Sequence, residues 1–92
     1  MNKGEFVEAL ADSLDVSRAQ ADRALTAVLD IIAARLTAGE KVSFTGFGSF
    51  EVSERAARSG RNPQTGATIE IAAARVPKFS AGATLKAAVN GD

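Results

Sequence analysis

The chain has 92 residues, a hydrophobic fraction of 46%, a charged fraction of 24% and a formal net charge of zero. These values are typical of a folded chain of one-domain size and argue against wholesale disorder. The sequence contains no Cys and no His, which excludes disulfides, zinc sites built on thiolate or imidazole, and nucleophiles activated by histidine. We therefore expect no metal, no cofactor and no enzymatic activity.

The supply of large apolar side chains is small. Alanine accounts for 19 of the apolar residues, which leaves few large side chains for a core. A chain of this length buries only about 60% of the surface that it exposes when unfolded. The composition therefore predicts that a second copy of the chain completes the core.

The N-terminal segment carries Glu5 and Glu8 where a signal peptide needs an apolar run. No uninterrupted apolar stretch approaches the roughly 20 residues that a membrane helix requires. We expect a cytoplasmic protein with no membrane partner.

Residues 1–40 are predicted to form two helices joined by a short connection. Asn2 and Ser17 precede Glu5 and Gln20 by three residues, which is the spacing of helix N-caps and capping boxes. Gly39 occupies the position of a left-handed C-cap. Apolar residues recur at helical spacing in both segments, at Phe6, Val7, Leu10 and Leu14 and then at Ala21, Leu25, Val28, Leu29, Ile32 and Leu36.

After Lys41 the hydrophobic period changes to two, which indicates strands. Residues 41–53 predict two strands on either side of a Gly46-Phe47-Gly48 turn. Residues 69–79 are expected to complete the sheet, with a strand near Thr68–Val76 that stops at Pro77. Residues 80–92 predict a short helix capped by Ser80. The order of elements predicts an α+β fold with a helical hairpin, a three-stranded antiparallel sheet and a C-terminal helix.

Residues 54–68 are predicted to project from this fold as a β-arm. No large apolar side chain occurs between Val52 and Ile69, so the segment has nothing to bury. Residues 62–66, Asn-Pro-Gln-Thr-Gly, nevertheless have the composition of a well-formed turn. A hairpin with strong turn chemistry and no core is expected to owe its order to a partner.

Basic residues concentrate in and around this arm. Between residues 55 and 88 only Glu70 opposes six basic side chains, which favours a phosphate-binding surface. Arg55, Arg58 and Arg61 are spaced by three, which does not fit one face of a flat strand. We expect twist, or a bulge near Gly60, to bring them to a common surface.

Three other patterns do not indicate a catalytic or ligand-binding site. Neighbouring acidic pairs lack a basic or aromatic pocket, so they do not indicate acid–base catalysis. The Gly46-Phe47-Gly48 turn lacks the third glycine of a dinucleotide loop and precedes a strand. Four rings are interpreted as core side chains at a subunit interface: Phe44, Phe47, Phe50 and Phe79.

The run Gly60-Arg61-Asn62-Pro63-Gln64-Thr65-Gly66 resembles the HU and integration host factor family of bacterial DNA-bending proteins. The likeness extends over nearly the whole chain, because it includes the Met1-Asn2-Lys3 start, Gly46-Phe47-Gly48-Ser49-Phe50, Arg75-Val76-Pro77 and Phe79-Ser80. It implies one HU-like domain over residues 1–92, an intertwined homodimer with 1–40 as its helical base, and a location in the nucleoid.

The resemblance also implies roles for individual residues. Pro63 at the arm tip would wedge between base pairs in the minor groove of double-stranded DNA. The other DNA-binding residues that it implies are Arg55, Arg58, Arg61 and Asn62 on the arm, with Arg75, Lys3, Lys78 and Lys86 toward the body. Leu29 and Ile32 join the four phenylalanines in the implied dimer core. No small-molecule substrate is expected.

The sequence departs from this family in charge, since relatives are usually basic and often carry Lys where this chain has Ala67, Glu70 and Ala83. We therefore expect weaker binding to plain duplex and a preference for kinked, nicked or gapped DNA. Two alternatives remain open: a site-specific bender like integration host factor, and a protein-assembly module whose arms grip a protein.

Overall fold

The computed structural model describes residues 1–91, and its contacts divide the chain into two compact units, Met1–Arg35 and Leu36–Asp92. The elements in chain order are α1 Lys3–Leu14, α2 Arg18–Thr37, β1 Val42–Phe44, β2 Gly48–Arg55, β3 Arg58–Arg61, β4 Thr68–Ile71, β5 Ala74–Ala81 and α3 Ala83–Asn90.

Both N-terminal helices begin at the predicted caps. The Asn2 side chain accepts a hydrogen bond from the Glu5 amide at 2.9 Å. Ser17 Oγ accepts from the Gln20 amide at 3.1 Å, and Gln20 Oε1 accepts from the Ser17 amide at 3.2 Å. This reciprocal pair is a complete capping box, so the predicted starts of α1 and α2 are confirmed. The C-cap of α1 is Asp15, whose left-handed φ of 56° was not predicted.

The core of the first unit is small. Val7, Ala11 and Ala21 are its buried apolar residues, and Leu10 and Leu25 pack against them. Several larger apolar side chains of α1 and α2 remain exposed in the single chain: Phe6, Leu14, Val28, Leu29 and Ile31. Within residues 1–91, no helix is both long and apolar enough to cross a membrane.

The main sheet has the antiparallel order β1-β2-β5. Gly48, at the start of β2, lies so close to β5 that a Cβ added there would be 2.6 Å from Phe79 Cζ and from the Ser80 carbonyl oxygen. The turn before β2 also holds the start of α3, because the Gly46 and Phe47 carbonyls accept hydrogen bonds from the amides of Leu85 and Gly82. The Gly-Phe-Gly turn therefore has a structural role, because it packs closely against β5 and fixes the start of α3.

Two predicted boundaries after residue 69 are wrong. The strand does not stop at Pro77, which lies inside β5 opposite Val52. Proline is tolerated there because β5 has only one neighbour in the sheet, so its other edge needs no amide donor. Ser80 does not cap α3 either, because β5 continues to Ala81 and Gly82 occupies the N-cap without a side-chain hydrogen bond.

The arm is a second two-stranded ladder formed by β3 and β4. Arg55 pairs with Ala74 at the end of the main ladder, and Arg58 pairs with Ile71 at the start of the second. Two alanines on each side separate these pairs, so the register continues without an extra residue. Residues 69–71 therefore pair within the arm, whereas the sequence assigned them to the main sheet.

Candidate nucleic-acid interface

The arm tip is a turn with its own hydrogen bonds. The Asn62 amide donates to the Ala67 carbonyl, and the Asn62 carbonyl accepts from the Gly66 amide, both at 2.8 Å. Asn62 Oδ1 accepts from the Gln64 amide at 2.8 Å, and Thr65 Oγ1 accepts from the Ala67 amide at 3.2 Å. Gly66 adopts a φ of 74°, which favours glycine. The predicted turn is confirmed.

Pro63 is the second residue of this turn and is exposed. Its ring fixes φ, and the surrounding hydrogen bonds fix the residues on either side. The arm therefore presents a rigid, exposed apolar group within its tip turn.

The arm arginines do not share one face of the second ladder. Gly60 pairs regularly with Ile69, so the bulge expected near Gly60 is absent from this part of the chain. Because side chains alternate along a strand, Arg58 and Arg61 project from opposite faces. The expectation of a common surface for these two residues is wrong, because the ladder between them is regular.

The two faces of the ladder differ in chemistry. Ile71 pairs with Arg58, and Ile69 is two residues from Ile71 on the same strand, so both isoleucines lie on the face of Arg58. Their side chains are 45% and 42% exposed for Ile69 and Ile71, respectively. Arg61 shares the other face with Glu70, so each face of the arm carries one arginine. Arg55 lies in β2, before the interruption between the ladders, and is exposed.

Arg75 makes hydrogen bonds within the protein. Its guanidinium donates to the carbonyl oxygens of Leu36 and Thr37, with each nitrogen–oxygen distance at 3.3 Å. The last carbonyls of a helix lack intrahelical donors and attract a cation. Arg75 therefore caps α2, a role that the sequence analysis missed. No local pattern reveals it, because the partners are 38 and 39 residues apart.

The predicted lysines lie on three different elements. Lys3 Nζ is 4.0 Å from Asp22 Oδ1, with both side chains more than half exposed. Such a pair is worth at most about 1 kcal/mol, so it does not fix Lys3 in place. Lys78 lies opposite Glu51 in the main sheet, and Lys86 is exposed on α3.

The four phenylalanines form one chain of ring contacts. The ring centroids of Phe50 and Phe79 are 4.9 Å apart, those of Phe47 and Phe79 are 5.7 Å apart, and those of Phe44 and Phe50 are 6.5 Å apart. Phe44, Phe47 and Phe79 are nevertheless 44–50% exposed in the single chain. Among residues 1–91, no three His, Cys, Asp or Glu side chains are placed to hold a metal ion.

The model of the bacterial DNA-binding protein family matches residues 1–90. The chain belongs to this family. It is 56% identical to DNA-binding protein HU-beta of Pseudomonas aeruginosa, over 98% of this chain and 100% of the relative. It is 52% identical to HU-beta of Escherichia coli K12, with the same coverage. The predicted membership of the HU family is thereby confirmed.

A solved structure agrees with the fold. The Anabaena HU–DNA cocrystal structure has a TM-score of 0.90 and 50% identity to this chain, and the match covers 100% of both chains. Together with the elements described above, this similarity confirms the predicted α+β fold, with its helical hairpin, antiparallel sheet extended into an arm, and C-terminal helix.

Proposed function

We propose that the chain is a non-enzymatic, histone-like protein that binds double-stranded DNA as a homodimer, bends it and compacts it in the nucleoid. The observation that carries this proposal is the arm tip, where an exposed Pro63 is held by a hydrogen-bonded turn at the end of a ribbon without a core. Full-length similarity to HU proteins and to an HU–DNA cocrystal structure supports it.

Pro63 has the properties of a wedge that enters between base pairs from the minor groove. Such a wedge must be apolar to replace base stacking, and rigid so that little entropy is lost on insertion. Unstacking costs a few kcal/mol per base step. A dimer supplies two wedges, and the bent duplex contacts more protein surface, which offsets that cost.

The arm arginines fit a ribbon that lies inside a groove. A groove has phosphates along both of its walls, so cations on both faces of a ribbon find partners there. Arg58 and Arg61 lie on opposite faces, and Arg55 lies nearer the body. Phosphate contacts carry no sequence information, which is consistent with little sequence preference. Arg61 remains a candidate for a contact along the arm, with Lys3, Lys78 and Lys86 on flanking phosphates.

A homodimer accounts for the exposed apolar side chains of the single chain. Leu29 is 48% exposed and Ile32 is half-buried on α2, while three of the four clustered phenylalanines are 44–50% exposed. Exposed apolar groups at this density mark surfaces that a partner covers. We assign these side chains to the dimer core.

Charge predicts a preference for DNA that is already kinked, nicked or gapped. Glu70 shares a face of the arm with Arg61, and Ala67 and Ala83 add no charge. Each phosphate contact contributes about −0.9 to the slope of log affinity against log salt. An arm with few cations therefore gains little electrostatic binding free energy from plain duplex. A prebent site removes part of the unstacking cost instead.

The test is a titration of fluorescently labelled DNA, intact or with a short gap, at two salt concentrations. The label belongs on the DNA because the sequence has no Trp or Tyr. We expect binding to the gapped duplex to be at least about tenfold tighter, the equivalent of about 1.4 kcal/mol of unstacking avoided. Absence of binding to both duplexes would refute the proposal and would leave the arm to a partner other than DNA.

A further inference from the structure

We infer that Asn62 is a positioning residue, whose side-chain oxygen holds the arm-tip turn so that Pro63 is presented in one orientation. The inference rests on the proposed function, in which Pro63 is the wedge. It replaces the role that the sequence suggested for Asn62, a contact with phosphate or minor-groove atoms.

The hydrogen bonds of Asn62 point inward, into the tip. Its amide, its carbonyl and its side-chain Oδ1 each have a partner within the turn, at 2.8 Å in all three cases. Only the side-chain NH2 group is left for DNA. Asn62 is half-buried, whereas Arg61 and Pro63 on either side of it are exposed.

The bond from Oδ1 addresses a specific weakness of the tip. Proline has no amide hydrogen, so Pro63 cannot anchor the turn through a bond of its own. The next amide along the chain is that of Gln64, and it donates a hydrogen bond to Asn62 Oδ1. This bond spans the two sides of Pro63 and is the Asx-turn that Asn and Asp form with the backbone two residues on.

No packing replaces this bond if it is lost. Residues 61–68 are exposed except for Asn62, so only hydrogen bonds and the fixed φ of Pro63 order the tip. A tip without the bond samples more orientations and loses more entropy when it inserts into DNA. The side-chain oxygen of Asn62 therefore acts on bending through Pro63.

The first experiment uses the DNA-free protein and compares Asn62→Ala and Asn62→Ser with the matched control Gln64→Ala. Serine retains an acceptor that reaches the same amide, and Gln64→Ala removes a neighbouring polar side chain but keeps the amide. We expect water exchange of the residue-64 amide, measured by NMR, to be about five-fold faster in Asn62→Ala and close to the wild-type rate in the other two. Equal rates in all four proteins would overturn the inference.

The second experiment measures bending by energy transfer between dyes at the two ends of a duplex, with protein at saturation. Saturation removes any effect of affinity. We expect Asn62→Ala to give about half of the wild-type change in transfer efficiency, and Asn62→Ser to recover most of it.

The outcomes separate the inference from the function on which it rests. If Asn62→Ser bends DNA as poorly as Asn62→Ala while its residue-64 amide stays protected, Asn62 acts through its NH2 group on DNA and the inference is wrong. If the wild-type protein binds but does not bend DNA, the proposed wedge role of Pro63 is wrong, whatever the exchange rate of the residue-64 amide.

Discussion

The main ladder, β2 with β5, and the arm ladder, β3 with β4, follow one another in a single register but are stabilised differently. Phe50 and Phe79 pair in the main ladder with ring centroids 4.9 Å apart, and Gly48 lies directly against the Phe79 ring. In the arm ladder, Ile69 and Ile71 are the large apolar side chains, and both are exposed. One ladder is packed, whereas the other has only backbone pairing and a tip turn.

The difference predicts that the main ladder contributes mainly to stability and the arm ladder mainly to binding. Removing a side chain from the main ladder removes packing, so we expect it to lower the free energy of unfolding first. Removing one from the arm removes little packing, so we expect it to alter DNA binding and leave stability nearly unchanged. Substitutions in the two ladders test that division.

Phe79→Ala is expected to lower the free energy of unfolding by about 3 kcal/mol, because the ring contacts both Phe47 and Phe50. The matched arm variant, Ile71→Ala, is expected to cost less than about 1 kcal/mol because Ile71 is already 42% exposed. Urea denaturation at one fixed protomer concentration measures both, since the stability of the proposed dimer would depend on concentration. Equal losses would show that the arm has a packed core of its own.

Gly48→Ala is expected to cost about 2 kcal/mol, because its Cβ would overlap the Phe79 ring and the Ser80 carbonyl. Gly60→Ala is the control within the arm, where the nearest atom is the flexible Ile71 Cδ1 at 3.3 Å. We expect the control to shift the midpoint of thermal unfolding only slightly. A similar shift in both variants would contradict the packed main ladder.

Arg61→Ala and Arg75→Ala separate a proposed DNA contact from a helix cap. Loss of one phosphate contact per protomer lowers the salt slope of a dimer by up to about 1.8, and we expect a change of this kind for Arg61→Ala alone. Arg75→Ala is expected to leave the slope unchanged and to lower stability by about 1 kcal/mol, because the last carbonyls of α2 lose their donor. A reduced slope for Arg75→Ala would restore Arg75 to the DNA interface.

Pro63→Ala is expected to have the smallest effect on affinity and a clear effect on bending. The substitution shortens the proposed wedge but keeps every cation, so binding to intact duplex should weaken by less than about tenfold. End-to-end energy transfer at saturation should report a smaller bend than in the wild type. Unchanged bending would show that another group opens the base stack.

Several features of the fold could be predicted from short stretches of sequence. The caps at Asn2 and Ser17 follow from a side chain and an amide three residues away, and the tip turn follows from the five residues 62–66. The site was also indicated locally, by a run without large apolar residues that nonetheless contains strong turn chemistry.

Other features could not be predicted because they depend on which strands become neighbours. Pro77 reads as the end of a strand until β5 is known to lie at the edge of the sheet. Gly60 suggests a bulge until its regular pairing with Ile69 is seen. In the sequence, Arg75 is one more cation near the arm, and only the folded chain shows that it lies beside the last carbonyls of α2.

Residue identities alone specified the starts of α1 and α2, the tip turn, the absence of His and Cys chemistry, and the family to which the chain belongs. Those properties depend on residue identities and on interactions within a few positions along the chain. The folded chain was needed to show which face of the arm each arginine takes, that Arg75 caps α2, and why Gly48 must lack a side chain. These depend on register and on contacts between distant segments, which are fixed only when the strands pair.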